Sequence, residues 1–99
     1  MEESKYRESR LCRLLGSPVV YRIVVLLMQQ GPLTPARLAK MTSQSVQTIS
    51  GHLAKHRTAD VVRYKTEGVR TRYWVKPIKE IRDVLESLKR AVGALSKLS

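Results

Sequence analysis

Gln47, Thr48 and Ser50 fall within four residues of one another, and Arg63, Lys65, Arg70 and Arg72 follow as two alternating pairs. These side chains offer non-covalent chemistry. An amide can donate and accept at one base edge, a hydroxyl can reach a base or a phosphate, and cationic groups neutralise phosphates. Covalent chemistry has no such grouping. No nucleophile, base and orienting residue stand together, no glycine loop is spaced to cradle a phosphate, and Glu80, Asp83 and Glu86 fall on the outer side of a helix. An enzyme is not expected. His52 and His56 have the i, i+4 spacing of a zinc pair, but no Asp, Glu or Cys lies within three residues of either, so both are read as packing residues. No metal and no cofactor are expected.

The charge of the whole chain points the same way. Its 99 residues carry 19 Lys and Arg against 8 Asp and Glu, a net charge of +11. From Ser9 to Ala59 there is no acid, while Arg10, Arg13, Arg22, Arg37, Lys40, Lys55 and Arg57 are all positive. A merely solvated surface mixes its signs, so this distribution implies a polyanionic partner, and double-stranded DNA is preferred to a membrane. The longest apolar run, Ile23 to Met28, is far below the roughly 20 residues needed to span a bilayer. A single cysteine, Cys12, excludes an internal disulfide and is read as a small buried hydrophobe in a cytoplasmic, nucleoid-associated protein.

The elements that position these groups are punctuated by Pro and Gly. One domain, residues 1–99, is expected to be mainly α-helical with a small antiparallel hairpin. A first helix over 3–15 closes at Gly16, and Ser17-Pro18 caps a second helix over 18–30 that stops at Gly31-Pro32. Thr34-Pro35 repeats the signal and opens a helix-turn-helix over 34–57, with Thr42, Ser43 and Gln44 in the turn and Ser45 capping its second helix. Val61 to Thr66 and Val69 to Lys76 alternate as strands with Glu67-Gly68 between them, a hairpin over 61–76. Trp74, on the face of Arg70 and Arg72, is expected to pack at the base of that hairpin; Tyr21, Tyr64 and Tyr73 are expected in the core or at its edge.

A last helix over 77–98 carries Ile78, Ile81, Leu85, Leu88, Val92 and Leu95 at spacings of three and four. This seam can lie on its own domain or on a second copy. A homodimer interface shared with Leu11 of the first helix is preferred, because the remaining core is small.

The segment LTPARLAKMTSQSVQTISGHL, Leu33 to Leu53, resembles the helix-turn-helix of the ArsR (arsenical repressor) family, which typically reads LSxxELAxxLGLSQSTVSRHL. The match is gapless, VVRYKTEGVRTRYWVKP extends it through a wing, and LLGSPVVYRIVVLL is similar to that family's second helix, so most of residues 11 to 77 is covered. The resemblance implies a winged helix-turn-helix with terminal helices in a dimer interface. His52 coincides with a histidine frequent in the family. Thr42, Ser43 and Gln44 replace the family's Leu-Gly-Leu, Gly51 stands where a basic residue is common, and Asp60 replaces a glycine. The metal-sensing cysteines of the founding members have no counterpart, so metal-regulated repression is not implied.

With Ile49 at the centre of the buried face of the second motif helix, a 100° advance per residue puts Val46, His52, Leu53 and His56 within about 60° of it. Gln47, Gly51 and Ala54 point the other way, flanked by Thr48, Ser50 and Lys55. In a winged helix that outer face enters the major groove. The candidate DNA contacts are therefore Ser45, Gln47, Thr48, Ser50, Gly51 and Lys55 on the helix, with Arg63, Lys65, Arg70 and Arg72 on the wing. Gln47 suits an adenine edge; the wing suits phosphates or a minor groove. The expected function is a dimeric, sequence-specific transcription regulator, with no small-molecule ligand. A largely non-specific architectural DNA binder is the alternative, favoured by the bare surface at Gly51 and Ala54, and a protein–protein module is a third reading.

Overall fold

Five helices and one hairpin build the chain, seen in a computed structural model that describes residues 3–58 and 61–98, with the side chains of 3–5, 55–58 and 98 outside the description. In chain order they are α1 (Glu3–Leu15), α2 (Pro18–Gln30), α3 (Pro35–Thr42), α4 (Val46–Thr58), β1 (Val62–Glu67), β2 (Arg70–Val75) and α5 (Ile78–Leu98). The fold is mainly α with a two-stranded antiparallel hairpin, as the spacing of apolar residues and breakers predicts. No single described helix is long and apolar enough to cross a membrane.

The Pro and Gly signals act where they stand, with one difference. Ser17 holds the extended geometry of an N-cap, yet its hydroxyl makes no cap hydrogen bond. Pro18 alone sets the start of α2: its fixed φ suits the first helical position, where no N–H partner is needed. α2 leaves α1 at 91° and ends at Gly31, whose φ of 79° turns the chain while its N–H donates to the Leu27 carbonyl at 3.0 Å. Thr34 does cap α3, accepting from the Arg37 N–H at 3.2 Å.

The core gathers where α2, α3 and α4 cross. Ile23, Val24, Leu38, Ile49 and Leu53 are fully enclosed, and Val62 and Val75 tie the base of the hairpin to them. Within α2, Val20, Ile23, Val24, Leu26 and Leu27 are buried, whereas Met28 is only half-buried. α1 contributes Leu11, Leu14 and Leu15, partly covered against this core. Cys12 is exposed, contrary to its expected burial. It lies about 100° around the helix from Leu11, outside the stripe that Leu11, Leu14 and Leu15 form. Tyr6 and Arg10 also face outward: the guanidinium sits 4.7 Å from the ring centroid, and its hydrogen bond and charge lower the phenol's pKa from its ordinary value.

The apolar seam of α5 divides in two. Ile81 and Leu85 are buried against the domain's own core. Ile78, Leu88, Val92 and Leu95 are 50%, 41%, 62% and 65% exposed.

Candidate nucleic-acid interface

The turn between α3 and α4 aims the second helix. α3 runs through Thr42, whose hydroxyl donates back to the Leu38 carbonyl at 2.7 Å. Ser43 then takes the left-handed conformation, φ 56° and ψ 38°, and the Gln44 N–H donates to the Ala39 carbonyl at 3.0 Å. This is the position where the resembled pattern has glycine, and Ser43 adopts the glycine-type geometry nonetheless. Ser45 then caps α4, accepting from the Thr48 N–H at 3.0 Å and donating to Thr48 Oγ1 at 2.8 Å.

Along α4 the inner face is Ile49 and Leu53, both at 0% exposure, with His52 half-buried beside them. Ser45, Gln47, Thr48, Ser50, Gly51 and Ala54 are all exposed. A Cβ on Gly51 would meet nothing within 4 Å, so no neighbour in the chain demands a glycine there. The side chains of Lys55, His56 and Arg57 lie outside the described residues, as does Asp60. Val46 departs from its expected place on the inner face and is 49% exposed. As the first residue of α4 it instead lines an open cleft with Arg37 and Lys40 of α3 and Val69 and Arg70 of the wing.

The hairpin is in register from Val62 opposite Val75 to Glu67 opposite Arg70. Its turn is therefore Gly68-Val69, not Glu67-Gly68. Gly68 has a φ of 61°, which suits the first central position of a two-residue hairpin loop. The register puts Arg63, Lys65, Arg70 and Arg72 on one face, with Glu67 and Trp74. Four cations thus share one side of the wing. Lys65 meets Glu67 at 3.6 Å, an exposed pair of little energetic weight. On the opposite face Tyr64 and Tyr73 stack with centroids 5.8 Å apart, and the Thr66 and Thr71 hydroxyls are 3.0 Å apart. Trp74 is half-buried at the base of the wing and lines an apolar recess with Leu27, Met28, Pro32 and Ile78.

Two hydrogen bonds fasten this wing to the segment before α3. The Leu33 N–H donates to the Tyr73 carbonyl at 3.0 Å, and the Tyr73 N–H donates to the Leu33 carbonyl at 2.8 Å. The wing tip is thereby held near the start of α3. Arg37 and Lys40, which sequence reasoning counts only as charge, line a cleft there with Val46, Ser50, Val69 and Arg70. Their i, i+3 spacing on an acid-free helix is the available signal; that the wing tip approaches them depends on the fold. Among the described residues, no group of three His, Cys, Asp or Glu side chains could hold a metal ion.

No family model matches the sequence, and no curated protein matches it; solved structures do. The cadmium metal-sensor CmtR from Mycobacterium tuberculosis is 31% identical, with a TM-score of 0.65 over 79% of this chain and 80% of its own. HlyU from Vibrio cholerae is 21% identical, with a TM-score of 0.75 over 89% of this chain and 97% of its own. The homodimeric winged helix-turn-helix DNA-binding domain Mb0332 from Mycobacterium bovis, described as a possible ArsR-family transcriptional regulator, is 19% identical, with a TM-score of 0.75 over 91% and 88%.

Proposed function

This chain belongs to the ArsR-type winged helix-turn-helix family, and from that premise we propose that it is a dimeric, sequence-specific regulator of transcription that binds double-stranded DNA. The observation that carries this reading is the pairing of two surfaces: the exposed outer face of α4 and the single wing face bearing Arg63, Lys65, Arg70 and Arg72. α4 enters the major groove, where Gln47 reads a base edge and Thr48 and Ser50 reach bases or phosphates. Ser45, Gly51 and Lys55 complete the helix contacts. The wing cations lie on phosphates or in the adjacent minor groove.

The chain acts as one winged domain over residues 1–99. Two copies associate through α5 and α1. Supporting this are the exposed apolar residues Ile78, Leu88, Val92 and Leu95, which continue the buried pair Ile81 and Leu85, with Leu11 partly covered on α1. Mb0332, which shares the fold, is a homodimer. The protein works at the nucleoid in the cytoplasm, and no cofactor, metal or small-molecule ligand enters this reading.

Selection of bound sites from random duplexes tests the reading. A pseudo-palindrome with half-sites about 34 Å apart is the expected result. Binding without any enriched motif refutes sequence-specific regulation and favours an architectural DNA binder. The open surface at Gly51 and the exposed Ala54, which offer few hydrogen bonds to bases, favour that second reading. A competition titration at fixed salt separates the two: a preference of about 10³ or more over random duplex marks the regulator, and a ratio near one the architectural protein.

A further inference from the structure

The cleft between the start of α3, the first turns of α4 and the wing tip has a volume of about 620 Å³. Arg37 and Lys40 line it from α3, Ser50 from α4, and Arg70 and Thr71 from β2. No Asp or Glu is among its lining residues. Val46 and Val69 stand at its walls, 49% and 102% exposed. Arg37, Lys40, Ser50 and Arg70 are all exposed, so their polar ends are open to an incoming group.

Three cations from two elements, with no acid beside them in the cleft, sum to a positive potential over it. An anion seated there meets that potential, and the exposed Ser50 hydroxyl adds a hydrogen-bond donor. The position of the cleft narrows the choice of anion. It separates the outer face of α4 from the wing tip, the gap that a sugar–phosphate strand crosses when a helix occupies one groove and a hairpin the next.

We propose that this cleft seats a backbone phosphate of duplex DNA, gripped by Arg37 and Lys40 on one side and Arg70 on the other, with Ser50 as a further donor. The inference rests on the DNA-binding reading and adds Arg37 and Lys40, which that reading does not use. The chemistry recognised is a phosphate oxyanion. A free phosphate ion presents the same chemistry, and the experiment separates the two sources.

Duplex affinity is measured for the full chain and for Arg37→Ala/Lys40→Ala between about 50 and 200 mM salt. Removing one cation from a phosphate flattens the log–log salt slope by about 0.9. The double variant should flatten it by about 0.9 to 1.8 and bind all sequences about tenfold more weakly at the low-salt end. Arg37→Lys/Lys40→Arg, which keeps the charge, should hold the wild-type slope, and matched thermal midpoints should show that both variants fold. In a second arm, single uncharged methylphosphonates are scanned along one strand. One position should weaken the wild type and leave the double alanine variant unaffected. A third arm titrates inorganic phosphate against the chain.

An unchanged slope and an identical methylphosphonate profile in the double alanine variant would overturn the seat while leaving DNA binding intact. Wild-type protein that binds no duplex at 50 mM salt would overturn both. Tight binding of inorganic phosphate that needs Arg37 and Lys40, without a sensitive duplex position, would overturn the duplex assignment in favour of a small anion.

Discussion

Ser45 and Thr48 close on each other at the head of α4: the Thr48 N–H donates to Ser45 Oγ at 3.0 Å, and the Ser45 hydroxyl donates to Thr48 Oγ1 at 2.8 Å. The Ser45 hydroxyl is thus engaged in starting the helix that carries the candidate reading face. The Thr48 hydroxyl, accepting from Ser45, keeps its own hydrogen to donate outward. Of the two, Thr48 is the better placed to contact a base or phosphate.

Ser45→Ala should lower stability by about 1 kcal/mol, the usual loss for an N-cap. Thermal unfolding should show a midpoint several degrees lower, as expected for a chain of this size. Ser45→Asp restores an acceptor at the helix start and should recover most of the loss. An alanine variant as stable as the wild type would deny the cap its role.

Ser43 holds a left-handed conformation that costs a residue with a Cβ roughly 1–2 kcal/mol. Ser43→Gly should therefore be stabilising by about 1 kcal/mol, after the greater freedom of glycine in the unfolded chain is counted. The urea midpoint should rise with an unchanged denaturant slope. A lower midpoint would mean that the serine side chain contributes more than its backbone costs.

Gly51 lies within α4 where an added Cβ meets nothing within 4 Å. Gly51→Ala should stabilise the free protein by roughly 0.5–1 kcal/mol, the usual gain for alanine over glycine inside a helix. On the proposed reading it should also weaken duplex binding, because the helix backbone can no longer approach the groove as closely. Stability and anisotropy titrations on one preparation check both signs; unchanged affinity would remove Gly51 from the contact set.

The divided seam of α5 separates folding from association. Leu85→Ala should cost about 2–5 kcal/mol of stability, as for other buried leucines. Leu88→Asp/Val92→Asp, at exposed positions, should leave the protomer folded and abolish dimers in sedimentation equilibrium. A dimer that survives the double substitution would place the interface elsewhere.

Gln47→Ala should change which base is preferred at one position of each half-site. Arg70→Ala and Arg72→Ala should instead weaken all sequences alike, each flattening the salt slope by about 0.9. Site selection and salt titrations on the three variants make the comparison. A uniform loss for Gln47→Ala would assign it to the backbone rather than to a base.

The helices are legible because their ends are written in local chemistry: Pro18 and Pro35 open helices, Thr34 and Ser45 cap them, and Gly31 closes one. The inner face of α4 is legible from Ile49 and Leu53, four apart. Departures arise where distant pairing decides. Glu67-Gly68 and Gly68-Val69 are equally local candidates for the turn. Only the second brings Val62 opposite Val75, where both are buried; the first would shift every pair by two residues and set Val62 opposite Tyr73. The same holds for the interface. The wing cations are visible in the alternation of residues, but the approach of Arg70 to Arg37 and Lys40 depends on the pairing of Leu33 with Tyr73, which no local pattern announces.

That pairing makes the protein a gauge with fixed jaws. Two backbone hydrogen bonds between Leu33 and Tyr73 tie the wing to the root of the helix-turn-helix, so the distance from α4 to the wing tip is settled before any duplex arrives. On the proposed reading, a site whose grooves do not match that distance must itself bend or narrow to be held. Sequences that deform easily are then selected at base pairs no side chain touches, and stiffness of the duplex becomes part of what the protein measures.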